Sequence, residues 1–131
     1  MNTKLLMTFS SLILGVAGIF ALFAPDVLLS MQGTVLTGAT PMLAQMLGAL
    51  YFAFAMMNWT AKDSAIGGVY ARPVSLANFS HFFTGSLLLL KYLFNEFSLF
   101  ALIVTVVYVT CAACFYWLVF RSTGLQSSKH K

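Results

Sequence analysis

The sequence contains four long apolar stretches that are almost free of charged side chains, at residues 5–24, 42–61, 73–94 and 98–120. About 20 consecutive apolar residues let one α-helix cross the hydrocarbon core of a bilayer. Hydrophobic residues make up 60% of the 131 residues and charged residues only 8%. A soluble domain of this size cannot bury so large an apolar fraction. We therefore predict an all-α integral membrane protein, a four-helix antiparallel bundle that forms one transmembrane domain over residues 1–131.

The first stretch also resembles a secretory signal peptide, because Lys4 precedes it and Ala24 ends it with a small residue. Its apolar part is longer than the about 7–15 residues of a typical signal peptide. Pro25 would follow the cut directly, where it hinders cleavage. We therefore expect a retained span.

The connection at residues 25–41 contains no Lys or Arg. Its apolar residues from Val27 to Leu29 and at Met31 predict a short segment in the membrane interface, and two glycines favour turns. Thr40 followed by Pro41 predicts an N-cap and the first helical position of the second span. The other connections are an inner loop at 62–72, a tight turn at Asn95-Glu96 and a cytoplasmic tail at 121–131.

The basic residues predict the orientation. If both termini are cytoplasmic, only Lys91 among the basic residues lies on the outer side. The cytoplasmic side then holds Lys4, Lys62, Arg72, Arg121, Lys129 and Lys131. Cytoplasmic loops are rich in Lys and Arg, so the sequence predicts a multi-pass membrane protein with N- and C-termini cytoplasmic.

Each span carries a stripe of small or polar residues at helical spacing, which we expect to face the bundle centre because close approach drives helix association in lipid. The stripes are Ser11, Gly15 and Gly18; Ala44, Gly48, Tyr51, Ala55 and Asn58; Asn78, His81, Gly85 and Tyr92; and Thr105, Tyr108, Ala112 and Phe115. From them comes a candidate polar intramembrane cluster of Asn58, Trp59, Asn78, His81, Tyr51 and Tyr108.

His81 has two interpretations. An ionisable residue within a span is a candidate functional site, and histidine can relay protons or bind a ligand. Gly85, one turn away, would leave space beside its ring. The other interpretation is structural: a neutral His81 hydrogen-bonds Asn78, Asn58 or a tyrosine hydroxyl and holds the helices together. Lys91 is expected to extend to the outer interface and to meet Glu96 there.

Cys111 and Cys114 form a Cys-x-x-Cys pair, which can be a redox centre. Four-helix membrane thiol oxidoreductases use such a pair near a quinone, but they carry a second cysteine pair, and this sequence has only two cysteines. Cysteine also packs as a small apolar residue. Two thiols and one distant histidine fall short of the four ligands of a zinc site, so no metal and no cofactor are predicted.

Other functional classes lack their motifs. The sequence has no nucleotide-binding glycine motif and no Ser-His-Asp set, and the spans contain no Asp or Glu. The net charge of +4 comes from scattered basic residues and not from a patch, so no nucleic-acid partner is expected. The expected partners are the lipid bilayer and either another membrane protein or a second copy of this chain.

The first span is free of charged residues and ends at Pro25, and the second contains the Gly48-Ala49 step and the Asn58-Trp59 pair. Residues 67–85 contain Arg72-Pro73 and Asn78-Phe79. In these segments the sequence resembles the DoxX-like group of small bacterial membrane proteins. The resemblance implies a four-helix bundle in the bacterial inner membrane. Members of the group include an accessory subunit of a quinone-linked sulfur oxidoreductase and assembly chaperones, so the resemblance implies no single activity.

The leading hypothesis is therefore a non-enzymatic accessory, assembly or lipid-binding factor. Two alternatives remain open. One is a small-molecule transporter or pocket-bearing membrane enzyme centred on His81. The other is a quinone-linked thiol oxidoreductase that uses Cys111 and Cys114.

Overall fold

A computed structural model describes residues 2–30, 33, 38–63 and 71–121. All regular secondary structure in these ranges is helical. The helices are α1 (Thr3–Phe23), α2 (Pro25–Ser30), α3 (Thr40–Ala61), α4 (Ala71–Asn95) and α5 (Leu99–Arg121).

The four long helices, α1, α3, α4 and α5, are long and apolar enough to cross a membrane. This confirms the predicted all-α class with four membrane spans. Each observed helix end lies within two residues of the predicted one. The predicted loop at Gly67-Gly68 and the tail beyond Arg121 lie outside the described residues. The chain divides into two compact units, Met1–Asp63 and Ser64–Lys131, which are described separately below.

In the first unit, α1 and α3 pack against each other as antiparallel helices. The contacting pairs run in opposite directions along the two helices. Near the start of α1, the Ser11 hydroxyl donates to the Ala55 carbonyl at 2.7 Å. Near its end, the Gln45 side-chain amide donates to the Leu22 carbonyl at 3.2 Å.

Between these bonds the two backbones touch at Gly18 and Gly48. A Cβ atom built on Gly18 would lie 2.7 Å from the backbone nitrogen of Phe52 and 2.9 Å from the Gly48 carbonyl oxygen. A Cβ on Gly48 would lie 2.8 Å from the backbone nitrogen of Leu22 and 2.9 Å from the Gly18 carbonyl oxygen. Because backbone atoms cannot move aside as a flexible side chain can, only glycine fits at either position.

In the connection between α1 and α3, Val27 to Leu29 of the predicted short segment belong to the helix α2, and Met31 lies outside the described residues. Gly33 and Gly38 have φ of 66° and 55°, a left-handed conformation that glycine adopts without strain, so both predicted turns are confirmed. The predicted N-cap at Thr40 is wrong by one residue. Ala39 already has a helical backbone, and its carbonyl accepts the Leu43 amide at 3.0 Å, so Ala39 is the N-cap.

In the second unit, α4 and α5 form a hairpin joined by a short turn at residues 96–98. The tight turn predicted at Asn95-Glu96 is thereby confirmed. α4 begins before Pro73, at Ala71, which is possible because a proline in the first helical turn loses no intrahelical hydrogen bond.

Phe82 and Phe115 lie at the centre of this hairpin. Both side chains are fully buried, and their rings stack with centroids 5.8 Å apart. The edge of Phe82 also meets the Tyr108 ring at 5.2 Å. Aromatic packing therefore joins the two helices of the second unit, whereas backbone contact joins those of the first.

The predicted meeting of Lys91 with Glu96 is wrong. The Tyr92 hydroxyl donates to the Glu96 carboxylate at 3.5 Å. Tyr92 and Glu96 are four residues apart and project from one side of the helix end, whereas Lys91 is one residue further round. Within the described parts of the chain, Lys4–Asp63 is the one ion pair.

The glycine contact generates a stability prediction. Gly18→Ala should lower the free energy of unfolding by about 1–3 kcal/mol, the usual cost of overpacking, because its methyl group meets the α3 backbone. Gly15→Ala is the matched control on the same helix, since a Cβ there lies 3.5 Å from the Ala55 Cβ, an ordinary contact. The measurement is equilibrium unfolding in mixed detergent micelles. Equal losses for the two variants would contradict the close contact.

Candidate functional site

His81 and Tyr108 are the two predicted site residues that the structure places side by side. The Tyr108 hydroxyl oxygen lies 3.5 Å from Nε2 of His81, at the long limit of a hydrogen bond. The two rings have centroids 5.7 Å apart, and the His81 ring also meets the edge of Phe82 at 5.2 Å. The histidine is half-buried. This contact agrees with the structural interpretation, in which a tyrosine hydroxyl partners His81.

The space expected beside His81 at Gly85 is filled. A Cβ atom on Gly85 would lie 2.6 Å from Cε1 of Tyr108, so the tyrosine ring rests directly on the glycine. The prediction of open space was wrong because Tyr108 comes from a different helix. The glycine serves to admit the aromatic ring.

Asn78 is fully buried on α4, one turn before His81. Its side-chain amide donates to the Val74 carbonyl of the same helix at 2.9 Å. Tyr92, which was predicted to continue this stripe, is 45% exposed at the end of α4. The buried face of α4 therefore ends before Tyr92, with Ser86 as its last buried polar residue.

Asn58 belongs to the first unit, where it is also fully buried. Its side-chain amide donates to the Ser10 hydroxyl oxygen at 3.1 Å, which links α3 to α1. Ser10 in turn donates to the Met7 carbonyl at 3.0 Å. These two hydrogen bonds lie beside the Ser11–Ala55 bond, at the end of the unit opposite α2.

Trp59 lies outside this polar region, although it follows Asn58 in the chain. Its side chain is 45% exposed, and the ammonium of Lys62 lies 3.1 Å from the centre of a ring of its indole. Tyr51, the remaining predicted residue of the first unit, is half-buried on α3. Asn58 is therefore buried in the first unit, whereas Trp59, the next residue, is exposed.

Charges cluster at the same end of the first unit. The Lys4 ammonium lies 2.7 Å from a carboxylate oxygen of Asp63. The hydrogen bond from Lys4, together with the charges of Lys4 and Lys62, lowers the pKa of the Asp63 carboxyl below its ordinary value. The start of α1 and the residues after α3 therefore lie together, as an antiparallel pair of spans requires.

The two cysteines differ in accessibility. Cys111 is buried and only 2% exposed, Cys114 is half-buried, and both thiols are free. Among the described residues, no group of three or more His, Cys, Asp or Glu side chains is placed to hold a metal ion.

The sequence patterns missed several residues that pack the helices within each unit. They are Met7, Ser10, Leu14, Gln45 and Phe82. Ser10 could have been found, because it lies beside Ser11 and one or two turns from other small residues of α1. Met7, Leu14 and Phe82 are fully buried but have the same chemistry as the apolar residues that face outward, so no residue-type signal distinguishes them.

Comparison with known proteins gives no relative: no family model, no curated protein and no solved structure matches this chain. The resemblance to the DoxX-like group therefore stays a prediction.

The Asn58–Ser10 bond generates a testable coupling. In a double-mutant cycle of Ser10→Ala and Asn58→Ala, the interaction energy should be about 0.6 kcal/mol and at most about 1.7 kcal/mol, the range for hydrogen bonds between membrane helices. The measurement is unfolding of both single variants and the double variant in mixed micelles. A matched cycle that pairs Asn58→Ala with Thr8→Val should give no coupling, since Thr8 donates to the Lys4 carbonyl of its own helix. Additive effects of Ser10→Ala and Asn58→Ala would contradict the bond.

Proposed function

We propose that the chain is a non-enzymatic, multi-pass protein of the bacterial inner membrane. It acts through contacts between helices, as an accessory, assembly or lipid-binding factor of the DoxX-like kind. The observation that carries this proposal is a pair of exposed hydroxyl groups on α4, at Ser80 and Thr84.

Most other hydroxyl groups of the spans are used by the fold. Ser86 donates to the Phe82 carbonyl, Thr105 to the Ala101 carbonyl and Thr110 to the Val106 carbonyl. Among the described residues, every fully buried side-chain nitrogen or oxygen has a hydrogen-bond partner. The polar groups of the interior are therefore already hydrogen-bonded within the protein, which leaves few to act on a substrate.

Ser80 and Thr84 differ from these groups. Both are exposed, they lie one turn apart near the middle of α4, and neither has a hydrogen-bond partner within the described ranges. A hydroxyl without a partner is costly in hydrocarbon, and serine and threonine bond across packed membrane helices. A helix from another membrane protein would provide acceptors and would fit closely against these small side chains.

The orientation of the spans is proposed from the positions of the charged residues. We propose cytoplasmic termini, because the Lys4–Asp63 pair keeps the start of α1 and the end of α3 on one side, where the basic residues concentrate. Lys91 near the end of α4 is then the single basic residue on the outer side.

The His81–Tyr108 contact favours one alternative function. An ionisable histidine beside a tyrosine hydroxyl within a span could transfer a proton or bind a polar ligand. A transporter or enzyme of this kind would depend on the imidazole, whereas the accessory function would depend on the exposed face of α4. The two functions therefore predict different sensitive residues.

A crosslinking experiment tests the accessory function. A photo-crosslinking amino acid at Leu87, which is exposed beyond Thr84, should give one adduct of defined mass with a protein partner in native membranes. Ser80→Ala with Thr84→Val should reduce that adduct by about threefold or more per hydroxyl, the factor that matches one hydrogen bond between membrane helices. The matched control is Thr110→Val, because the Thr110 hydroxyl is exposed but already bonded within its own helix.

The outcomes separate the two functions. His81→Gln should leave the adduct in place, and it should preserve growth or activity that depends on the gene while changing stability in detergent. If Ser80→Ala with Thr84→Val has no effect and His81→Gln abolishes the gene-dependent activity, the accessory function is wrong and the function centred on His81 is favoured.

Reporter fusions test the orientation. A fluorescent protein that folds only in the cytoplasm should be bright when fused after residue 131, and alkaline phosphatase should be active when inserted after Glu96. The same phosphatase inserted after Asp63 should be inactive, which serves as the internal control. Activity after Asp63 together with a dark C-terminal fusion would reverse the proposed orientation.

A further inference from the structure

The charged end of the first unit contains one cation more than it can neutralise internally. Lys4 is paired with the Asp63 carboxylate at 2.7 Å. Lys62 is placed otherwise: its ammonium lies 3.1 Å from the centre of a Trp59 ring, and no described carboxylate forms an ion pair with it. An ammonium on an aromatic face keeps its full charge and still has protons to donate.

The position of this pair along α3 defines its depth in a membrane. Trp59 lies in the last turn of α3, and Lys62 follows the last helical residue, Ala61. Tryptophan at the end of a span lies at the level of the lipid headgroups. The ammonium of Lys62 is therefore held at the depth of the phosphate groups.

An apolar lane continues from Trp59 along the same side of α3. Met56 and Phe52 precede Trp59 by three and seven residues, so the three side chains project from one helix face. Met56 is 49% exposed and Phe52 is 40% exposed. The lane leads from the interface into the hydrocarbon region, in the direction that a lipid acyl chain takes.

We propose that Lys62 and Trp59 form a headgroup site for an anionic phospholipid, whose acyl chain lies along Met56 and Phe52. Charge complementarity selects the occupant, since the surplus cation attracts a lipid with net negative charge over a zwitterionic one. The apolar lane selects a lipid over a soluble anion. This inference deepens the lipid-binding part of the proposed function and does not involve the Ser80–Thr84 face.

The two tryptophans of the chain permit a direct test. In the Trp117→Phe variant, Trp59 is the sole tryptophan and reports on its own surroundings. The protein is placed in nanodiscs of phosphatidylcholine that contain the same minor fraction of either brominated phosphatidylglycerol or brominated phosphatidylcholine. Brominated chains quench a neighbouring indole, so the quenching measures which lipid occupies the lane.

Phosphatidylglycerol should be enriched at Trp59 about fivefold over phosphatidylcholine, the factor expected for one lysine at an anionic lipid surface. Lys62→Gln should remove the preference, and Lys62→Arg should keep it, because both cations stack on an indole. Lys91→Gln, which removes a cation from the second unit, should have no effect. Both Lys62 variants change a partly exposed side chain beyond the helix end, so folding is preserved.

Four results would overturn the site. Three come from the brominated lipids: equal quenching by the two lipids, a preference that survives Lys62→Gln, and a loss of the preference with Lys91→Gln. The fourth is a Lys62-dependent change in Trp59 emission caused by inorganic phosphate alone in phosphatidylcholine nanodiscs, since the site would then bind a soluble anion. Absence of any lipid preference while Lys62 is present, with the Leu87 adduct retained, would refute this site and leave the accessory function standing.

Discussion

Hydrocarbon offers no water to a polar group, and this constraint explains most features of both units. A hydroxyl, amide or imidazole within a span must find a partner in the protein, or its desolvation is uncompensated. Ser10, Ser11 and Asn58 meet this requirement by bonding between α1 and α3 or to a nearby carbonyl. Apolar side chains cannot drive the helices together, because the lipid tails are equally apolar.

The two units meet the constraint with different packing. α1 and α3 use glycine to bring their backbones into contact, and the short distance then lets the Ser11 hydroxyl reach a carbonyl of the other helix. α4 and α5 interlock through Phe82 and Phe115, with Tyr108 seated on Gly85. In this unit the hydroxyls of Ser86 and Thr105 donate to carbonyls of their own helices.

Some of this could be predicted from the sequence. Apolar length defined the four spans, because a membrane helix needs a minimum run of uncharged residues, and Gly18, Gly48 and Asn58 could be assigned to a packed face by spacing and size. The role of Gly85 could not, since the ring that fills its space comes from Tyr108, 23 positions later in the chain. The full burial of Leu14 and Phe82 could not be predicted either, because positions that face lipid and positions that face another helix favour the same residue types.

The polar residues of the spans divide into those that have a partner within the fold and those available to another molecule. His81 has Tyr108 beside it, and Asn78 bonds the Val74 carbonyl, so the fold accounts for both. Within the described residues, Ser80 and Thr84 have no hydrogen-bond partner and Lys62 forms no ion pair with a carboxylate, and each is placed where a molecule outside the chain would meet it. The hydroxyls lie at mid-span and match the groups of another helix. The ammonium lies at the interface and matches the charge of a headgroup. Depth in the bilayer therefore distinguishes the two kinds of partner, and it directs the search for function to the outward faces of α3 and α4.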